Sequence, residues 1–263
     1  MEIFTDFPSG ASGVPLAKLK GAVHTVLTIE QRGEKVFGTT VEIYDKRDKL
    51  IETMGSNAGF EIHSGKLIRL GGKTIYFYDN DGKLFNEMNY SPEGRLTGYE
   101  NYFYDEKNRL KETLIYDSKG EETGKRTFTY FPEKREVIAT WNFYYNGNKN
   151  VSPMKNLLLY NEKMQWTKRT EYLSWTSEIS FEYDKDGNFV KEVQCCKYNY
   201  KHQYTYKFDK QGNWIERENT YIQKGKDGKD EISPGWMNEF RVITYYSEQE
   251  IDKEQISPKT KTK

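Results

Sequence analysis

Apolar and polar residues alternate along most of this chain with a period of two. In Thr127–Tyr130, Phe128 and Tyr130 take one face while Thr127 and Thr129 take the other. In Tyr206–Phe208 two rings are opposed by Lys207, and in Val23–Glu30 the residues Thr25, Leu27 and Ile29 alternate with His24, Val26 and Thr28. Successive side chains of a strand point to opposite faces, so this alternation predicts half-buried β-strands. No long stretch carries a 3.6-residue period, and little helix is expected.

The alternation is interrupted by a recurring corner. Tyr76–Leu84 reads YFYDNDGKL, and its outline returns at Tyr102–Leu110, Phe181–Phe189 and Tyr206–Trp214. Asp79 opens a turn because its carboxylate accepts a hydrogen bond from a backbone N–H two residues on. Gly82 closes it because glycine enters left-handed φ without a Cβ clash. Together they predict a three-residue hairpin loop, a type I turn followed by a glycine bulge. The same corner is read at Asp117–Gly120, Asp184–Gly187 and Asp209–Gly212. Ser91–Gly94 carries Pro92 at its second position, and Asp105–Asn108 replaces glycine by asparagine, the next best residue for left-handed φ. Asp45–Asp48 is a weaker copy, and Pro132–Arg135, Asn161–Met164 and Ser247–Glu250 are degenerate ones. Further corners are expected at Gln31–Gly33, at Ser64-Gly65 and at the two-residue Gly71-Gly72.

These corners imply roughly 14–18 strands, more than an open twisted sheet of about 10 holds without curling. The fold class expected is therefore all-β: an antiparallel meander of consecutive hairpins, curled into a half-barrel, spiral or barrel-like sheet. Its rings should line the concave face, while Lys, Glu and Thr pair across strands outside. Residues 1–18 read as a leader or linker, 19–247 as a single β domain, and 248–263 as a polar, disordered tail.

The Y-x-Y-D-x-x-G-x-L pattern, with its variant KFDKQGNWIER (Lys207–Arg217), resembles the YD or Rhs repeat of bacterial proteins. Leu19–Gly33 resembles the beginning of short Rhs-repeat-like proteins from bacterial envelopes. The resemblance covers about 40–247, and 132–175 departs from it. It implies an antiparallel repeat sheet that curls, on a bacterial and often exported or surface-exposed protein. In large Rhs proteins such a sheet forms a shell around a toxin. This chain is too short for that shell and carries no recognisable toxin domain, so only the scaffold carries over.

Composition sharpens this picture. The 263 residues include 21 Tyr, 14 Phe and 5 Trp, yet mean hydropathy is −0.93. Many rings beside many charges suit strands with one apolar and one wet face, and disorder is poor in rings. Lys+Arg and Asp+Glu both number 40, so there is no cationic excess to hold a phosphate backbone, and no nucleic-acid partner is expected. No apolar run of about 18 residues occurs, so no helical membrane span is expected. Met1 is not followed by a basic start and an apolar run. The expected location is extracytoplasmic, secreted or in the cell envelope, if an export signal has been removed, and otherwise cytoplasmic. Cys195 and Cys196 are adjacent. In a strand they would point to opposite faces, which makes a bond between them awkward and predicts two small half-buried residues.

Two segments break the pattern, Tyr145–Asn156 and Gln223–Asn238, both rich in Gly, Pro or Asn. Each is a surface insertion or a binding loop at the mouth of the sheet. Trp141, Trp166, Trp175 and Trp236 lie near or between them, as core or as a platform for a sugar or a partner surface. Trp214 occupies the repeat's Leu position and reads as core. His24, His63 and His202 are scattered without zinc-site spacing, no G-x-S-x-G occurs, and the acidic GKDGKDE stretch does not fit an EF-hand. No catalytic residue, cofactor or metal is expected. The function expected is a non-enzymatic repeat scaffold binding a protein or glycan partner through loops and an aromatic concave face. The alternatives are a carbohydrate-binding or carbohydrate-active protein, and an immunity or antitoxin-like protein that masks an effector.

Overall fold

The computed structural model describes residues 19–32, 35–56, 61–63, 66–68, 71–144, 153–163, 165–172, 176–195, 200–225, 229–234 and 238–247. In chain order its strands are β1 (Val23–Arg32), β2 (Lys35–Tyr44), β3 (Leu50–Ser56), β4 (Glu61–His63), β5 (Lys66–Ile68), β6 (Lys73–Tyr78) and β7 (Leu84–Tyr90). They continue with β8 (Leu96–Tyr104), β9 (Leu110–Asp117), β10 (Glu122–Phe131), β11 (Glu136–Phe143), β12 (Met154–Tyr160) and β13 (Trp166–Tyr172). The last are β14 (Thr176–Tyr183), β15 (Phe189–Cys195), β16 (Tyr200–Phe208), β17 (Trp214–Lys224), β18 (Asp230–Pro234) and β19 (Asn238–Tyr245). A single 3-10 turn at Pro132–Lys134 is the one helical element among the described residues.

Each strand pairs antiparallel with its neighbour, and the first meets the last. Val26 of β1 lies opposite Glu42 of β2 on one side and Ile243 of β19 on the other. Among the described residues β18 pairs with β17 alone and β4 with β5 alone; the remaining sixteen strands form a closed ring. The sheet is therefore a barrel, and the half-barrel and the spiral are excluded. The physical reason is that closure alone removes the two unpaired edges of so long a twisted sheet. The seam has a clasp of its own. Asn213 accepts the Lys20 N–H at 2.7 Å, donates to the Lys20 carbonyl at 2.7 Å and to the Tyr245 hydroxyl at 2.9 Å.

Because the chain is a meander, its corners alternate between two lips. At the corner lip sit Asp45, Asp79, Asp105, Pro132, Asn161, Asp184 and Asp209; Ser91 and Asp117 lie at the far lip. Asp79 Oδ1 accepts the N–H groups of Asp81 at 3.0 Å and Lys83 at 2.8 Å, and the Gly82 N–H returns to the Asp79 carbonyl at 3.0 Å. The closing residue is left-handed at each corner of this kind: φ is 76° at Gly82, 80° at Gly94, 84° at Gly120, 90° at Gly187, 85° at Gly212 and 59° at Asn108. Asn161 supplies the same acceptor without charge, to Lys163 at 2.9 Å and Gln165 at 3.0 Å. The expected corners at Gly33, Ser64-Gly65 and past Ser247 fall outside the described residues. Gly71-Gly72 is not a hairpin corner, because β6 pairs with β3 and β7 instead of β5. A Cβ at Gly72 would stand 2.5 Å from the Tyr90 carbonyl oxygen, so this glycine answers a close backbone approach.

The tyrosine shortly before several of the corners has a definite task, whereas the Tyr183 hydroxyl before Asp184 is buried without a partner among the described residues. Tyr78 donates to the Leu50 carbonyl, Tyr104 to Leu84 and Tyr130 to Leu110, each at 2.8 Å, and Tyr206 donates to Phe189. Tyr246 does the same to Tyr44 across the seam, at 2.8 Å. Each phenol thus ties the end of one hairpin to the start of the neighbouring strand. Below this ring lies a core cluster on the inner face, from Tyr102 and Leu110 through Phe128, Val137 and Leu158 to Phe181 and Phe189.

The division of rings between faces differs from the expectation. The tyrosines of the Y-F-Y stretches point inward, but Phe77 and Phe103 stand outside and exposed, because the middle residue of Y-F-Y has opposite parity. Phe85 joins Phe77 outside at 6.5 Å, where the register shifts, and Tyr99 and Tyr116 stack at 4.7 Å on the outward parity of their strands. Lys–Glu pairs do cross strands outside, as in Lys125–Glu112 at 2.5 Å and Lys168–Glu178 at 2.8 Å. The second break is largely a hairpin: Gln223 and Lys224 continue β17, β18 returns beside it, and Lys224 meets Asp230 at 2.6 Å. In the first break, Met154–Asn156 belong to β12. Cys195, the last residue of β15, is disulfide-bonded, and the one other cysteine in the chain, Cys196, lies outside the described residues. This corrects the expectation of two unlinked cysteines. That expectation assumed a strand through both, whereas β15 ends at the first.

Two predictions follow from the corners. Gly212→Val forces a β-branched residue to a φ of 85° and should cost roughly 1–3 kcal/mol. At Gly225 a Cβ meets only the mobile end of Glu231, so Gly225→Val should cost much less. Thermal unfolding of both variants checks this, and equal melting temperatures would refute the turn assignment. At Asp105 and Asp184 burial opposes ionisation, but hydrogen bonds from Arg109 and Asn188 outweigh it; at Asp117 the Glu121 N–H leads. All three carboxyls are held below the usual 3.8. Their contribution to stability is present above that value and lost as pH falls through the lower folded values. Replacing all three by Asn, as Asn161 does naturally, should keep the fold at pH 7 and flatten the stability loss below about pH 4. An unchanged acid limb in pH-dependent unfolding would contradict it.

Candidate ligand-binding wall inside the barrel

Directly opposed residues of neighbouring strands share a face, so register rows run round the inner wall. One row passes from Tyr102 of β8 to Thr113, Arg126 and Trp141 on β9, β10 and β11. Beside it Glu87 lies opposite Glu100. Tyr102 donates to Glu87 at 2.7 Å, and Glu87 is only 2 % exposed. Arg126 forms an ion pair with Glu100 and lies over the Trp141 ring at 5.7 Å. Burial, then the neighbouring Glu87 charge, pushes the Tyr102 phenol up, while burial pulls the Arg126 guanidinium down against the pull of Glu87. Thr113 Oγ1, Arg126 Nε and Trp141 Nε1 are buried without a hydrogen-bond partner among the described residues.

A second group spans β13 to β17. Arg169 meets Glu171 at 3.1 Å, and Glu192 lies opposite His202. His202 bonds Asn219 at 2.9 Å and sits among the rings of Tyr200, Tyr204 and Tyr221 at 5.0, 6.2 and 5.3 Å. Burial raises the Glu192 carboxyl, opposed by His202, Arg169 and Arg217.

A third group borders the seam. Arg217 forms an ion pair with Glu239 and faces the Tyr204 and Trp214 rings at 5.1 and 5.4 Å. Arg241 stacks on Trp214 at 3.5 Å and donates to Thr28 at 3.3 Å. A guanidinium over an indole face is a favourable cation–π arrangement, strengthened where water is scarce. Burial, then Glu239, raises the Glu30 carboxyl. The wall thus offers carboxylate acceptors, guanidinium and indole donors, and ring faces. No cluster of three metal-ligating side chains occurs among the described residues.

Of the four tryptophans singled out, Trp141 reaches this wall, half-buried, and Trp166 is buried in the core cluster. Trp175 and Trp236 lie outside the described residues. Trp214 is buried, and it also carries Arg241 on its face. His24 lies edge-on to Tyr246 at 4.8 Å, away from His202. The charged members Arg126, Arg217, Arg241, Glu87, Glu100, Glu192 and Glu239 escaped the sequence reading. Their signal was parity: Arg126 stands in step with Phe128 and Tyr130, and Glu100 with Tyr102 and Tyr104.

No family model matches the chain, and no curated protein matches it. Among solved structures, a porin-like protein from Bacteroides uniformis aligns with 86% of this chain and 99% of its own, at 8% identity and a TM-score of 0.42. The TcdB2-TccC3-Cdc42 and TcdB2-TccC3 structures align with 76% of this chain, at 13% and 11% identity and TM-scores of 0.30 and 0.26. The match spans 13% and 11% of those chains. At these scores neither family nor function transfers.

The raised Glu192 carboxyl yields a signed prediction. Its folded value lies above the usual 4.5, so its favourable contribution is complete below that value and is lost as pH rises through the folded one. Glu192→Gln should therefore raise the melting temperature at pH 7, and the gain should vanish near pH 4. Melting curves at both pH values check it; a variant less stable at pH 7 would show that His202 and the arginines outweigh burial.

Proposed function

We propose that this chain is a non-enzymatic, YD/Rhs-repeat-like bacterial barrel that holds a polar ligand or partner segment against its inner wall. The observation that carries this reading is the concentration of half-buried rings and paired charges on the inner face of a sixteen-strand ring. Barrels of about eight strands fill their interior with their own side chains, and those of about sixteen leave room inside. A binding role also accounts for the charges. Glu87, Glu100, Glu171 and Glu239 each have a tyrosine or arginine partner, an arrangement that orients hydrogen-bonding groups more readily than it frees an acid or base.

The outer face supports a watery setting. Lys125–Glu112, Lys168–Glu178 and Lys207–Glu216 occupy outward positions within strands. Lysine at the lipid face costs about 2–4 kcal/mol at a bilayer midplane. The ligand reaches the wall from the far lip, opposite the ring of corner tyrosines.

Thermal-shift screening of the purified chain against peptides and uncharged or charged oligosaccharides tests the reading, because a ligand that binds only the folded state raises the melting temperature. For any hit, Trp214→Leu and Arg217→Met should weaken binding, and the outer-face variant Phe85→Ser should not. Binding abolished by Phe85→Ser and untouched by the inner variants would overturn the inner-wall site. Chemical conversion of the bound ligand, seen by mass spectrometry, would overturn the non-enzymatic part.

A further inference from the structure

The geometry points to the wall around Glu192 as the subsite for an organic ammonium ion, held by one carboxylate among tyrosine and histidine rings; this rests on the inner wall being a binding surface. A register row carries the site. Phe181 of the core cluster lies opposite Glu192, Glu192 opposite His202, and His202 opposite Tyr221. All four therefore share the inner face. His202 gathers the rings, with Tyr200 at 5.0 Å, Tyr221 at 5.3 Å and Tyr204 at 6.2 Å, and Tyr200 lies 5.8 Å from Tyr221. Glu192, His202 and the three tyrosines are each half-buried, so solvent still reaches the group.

Local charge selects the ligand class. On this stretch of wall Arg169 pairs with Glu171 and Arg217 with Glu239. Glu192 has neither a hydrogen bond nor an ion pair among the described residues, and its oxygens are not sealed from solvent. Burial, then the Glu192 charge, raises the Tyr200 and Tyr204 phenols, so both rings stand near that carboxylate. A half-buried carboxylate without a counter-ion is costly. A cation supplies the missing charge, whereas an anion is repelled and a neutral ligand leaves Glu192 uncompensated. The rings narrow the class further. Tyrosine faces attract an ammonium through their quadrupole, more strongly where water is scarce. A metal ion takes several oxygen ligands, and the described residues offer no cluster of three ligating side chains. His202 adds an acceptor. Asn219 Oδ1 can only accept, so His202 Nδ1 donates to it at 2.9 Å, and Nε2 of the neutral ring keeps its lone pair. Tyr200 begins β16 and Tyr221 stands near the end of β17, both towards the far lip. An ammonium entering there meets ring faces before it meets the carboxylate.

The test is titration of the full chain with choline and butylammonium, with the uncharged carbon isostere of choline and pentanoate as the neutral and anionic arms, read by calorimetry and saturation-transfer NMR. At least one cation should bind at millimolar concentration, about tenfold more tightly than the isostere. Glu192→Gln, which keeps the shape and removes the charge, should weaken the cation about tenfold and leave the isostere unchanged. Tyr221→Leu should weaken choline, and Glu182→Gln, the same change on the outer face of β14, should not. Circular dichroism checks that each variant keeps its sheet. Equal affinity for choline and its isostere, no cation bound at millimolar concentration, or indifference to Glu192→Gln would overturn the ammonium subsite. A cation lost on Glu30→Gln but not on Glu192→Gln would overturn this location and leave the wider inner-wall reading standing. A cation lost on Phe85→Ser and kept by Glu192→Gln would overturn both.

Discussion

The pairing of β1 with β19 is the constraint on which everything else rests. Every other strand contact in the ring is local: a hairpin, or the tie from one hairpin to the next at a separation such as the 20 residues between Tyr104 and Leu84. The seam instead joins Thr28 to Arg241, 213 positions apart. Closing so long a loop costs about 2 kcal/mol more than closing one of 20 residues, and the gain is the removal of both free edges at once. Without the seam, Arg241 has neither Thr28 beside it nor the inner face that places it on Trp214.

The two lips divide labour. At the corner lip, Asp carboxylates organise turns and tyrosine hydroxyls tie several turns to their neighbours. That lip is built of short, self-capped loops. The strand ends that flank 145–152 and 226–228 lie at the other lip, where the longer connections are placed. Self-capped corners at one end and longer connections at the other is the arrangement expected where a scaffold positions a recognition surface.

What was legible in the sequence follows from what is local. The Asp79–Gly82 corner can be read because carboxylate, N–H and left-handed φ all lie within five residues, and the two-residue alternation follows from strand pleat. Closure has no such signature: nothing in Val23–Arg32 announces Asn238–Tyr245 as its partner. Arg126, Arg217 and Glu87 were missed because charge is normally read as outward, and only inward parity with neighbouring rings marked them otherwise. Gly72 was misread because two adjacent glycines suit a tight turn as well as a close backbone approach, and the Tyr90 carbonyl that decides between them is 18 residues away.

The phenol tie that joins several of the hairpins to their neighbours also makes the circumference a matter of counting. A hairpin with its corner and its inward-facing row is the repeating unit, so inserting or deleting one would widen or narrow the bore by a fixed step and leave the remaining rows aligned. Aperture and wall chemistry are then separately adjustable: the first by the number of units, the second by what stands at each inward position.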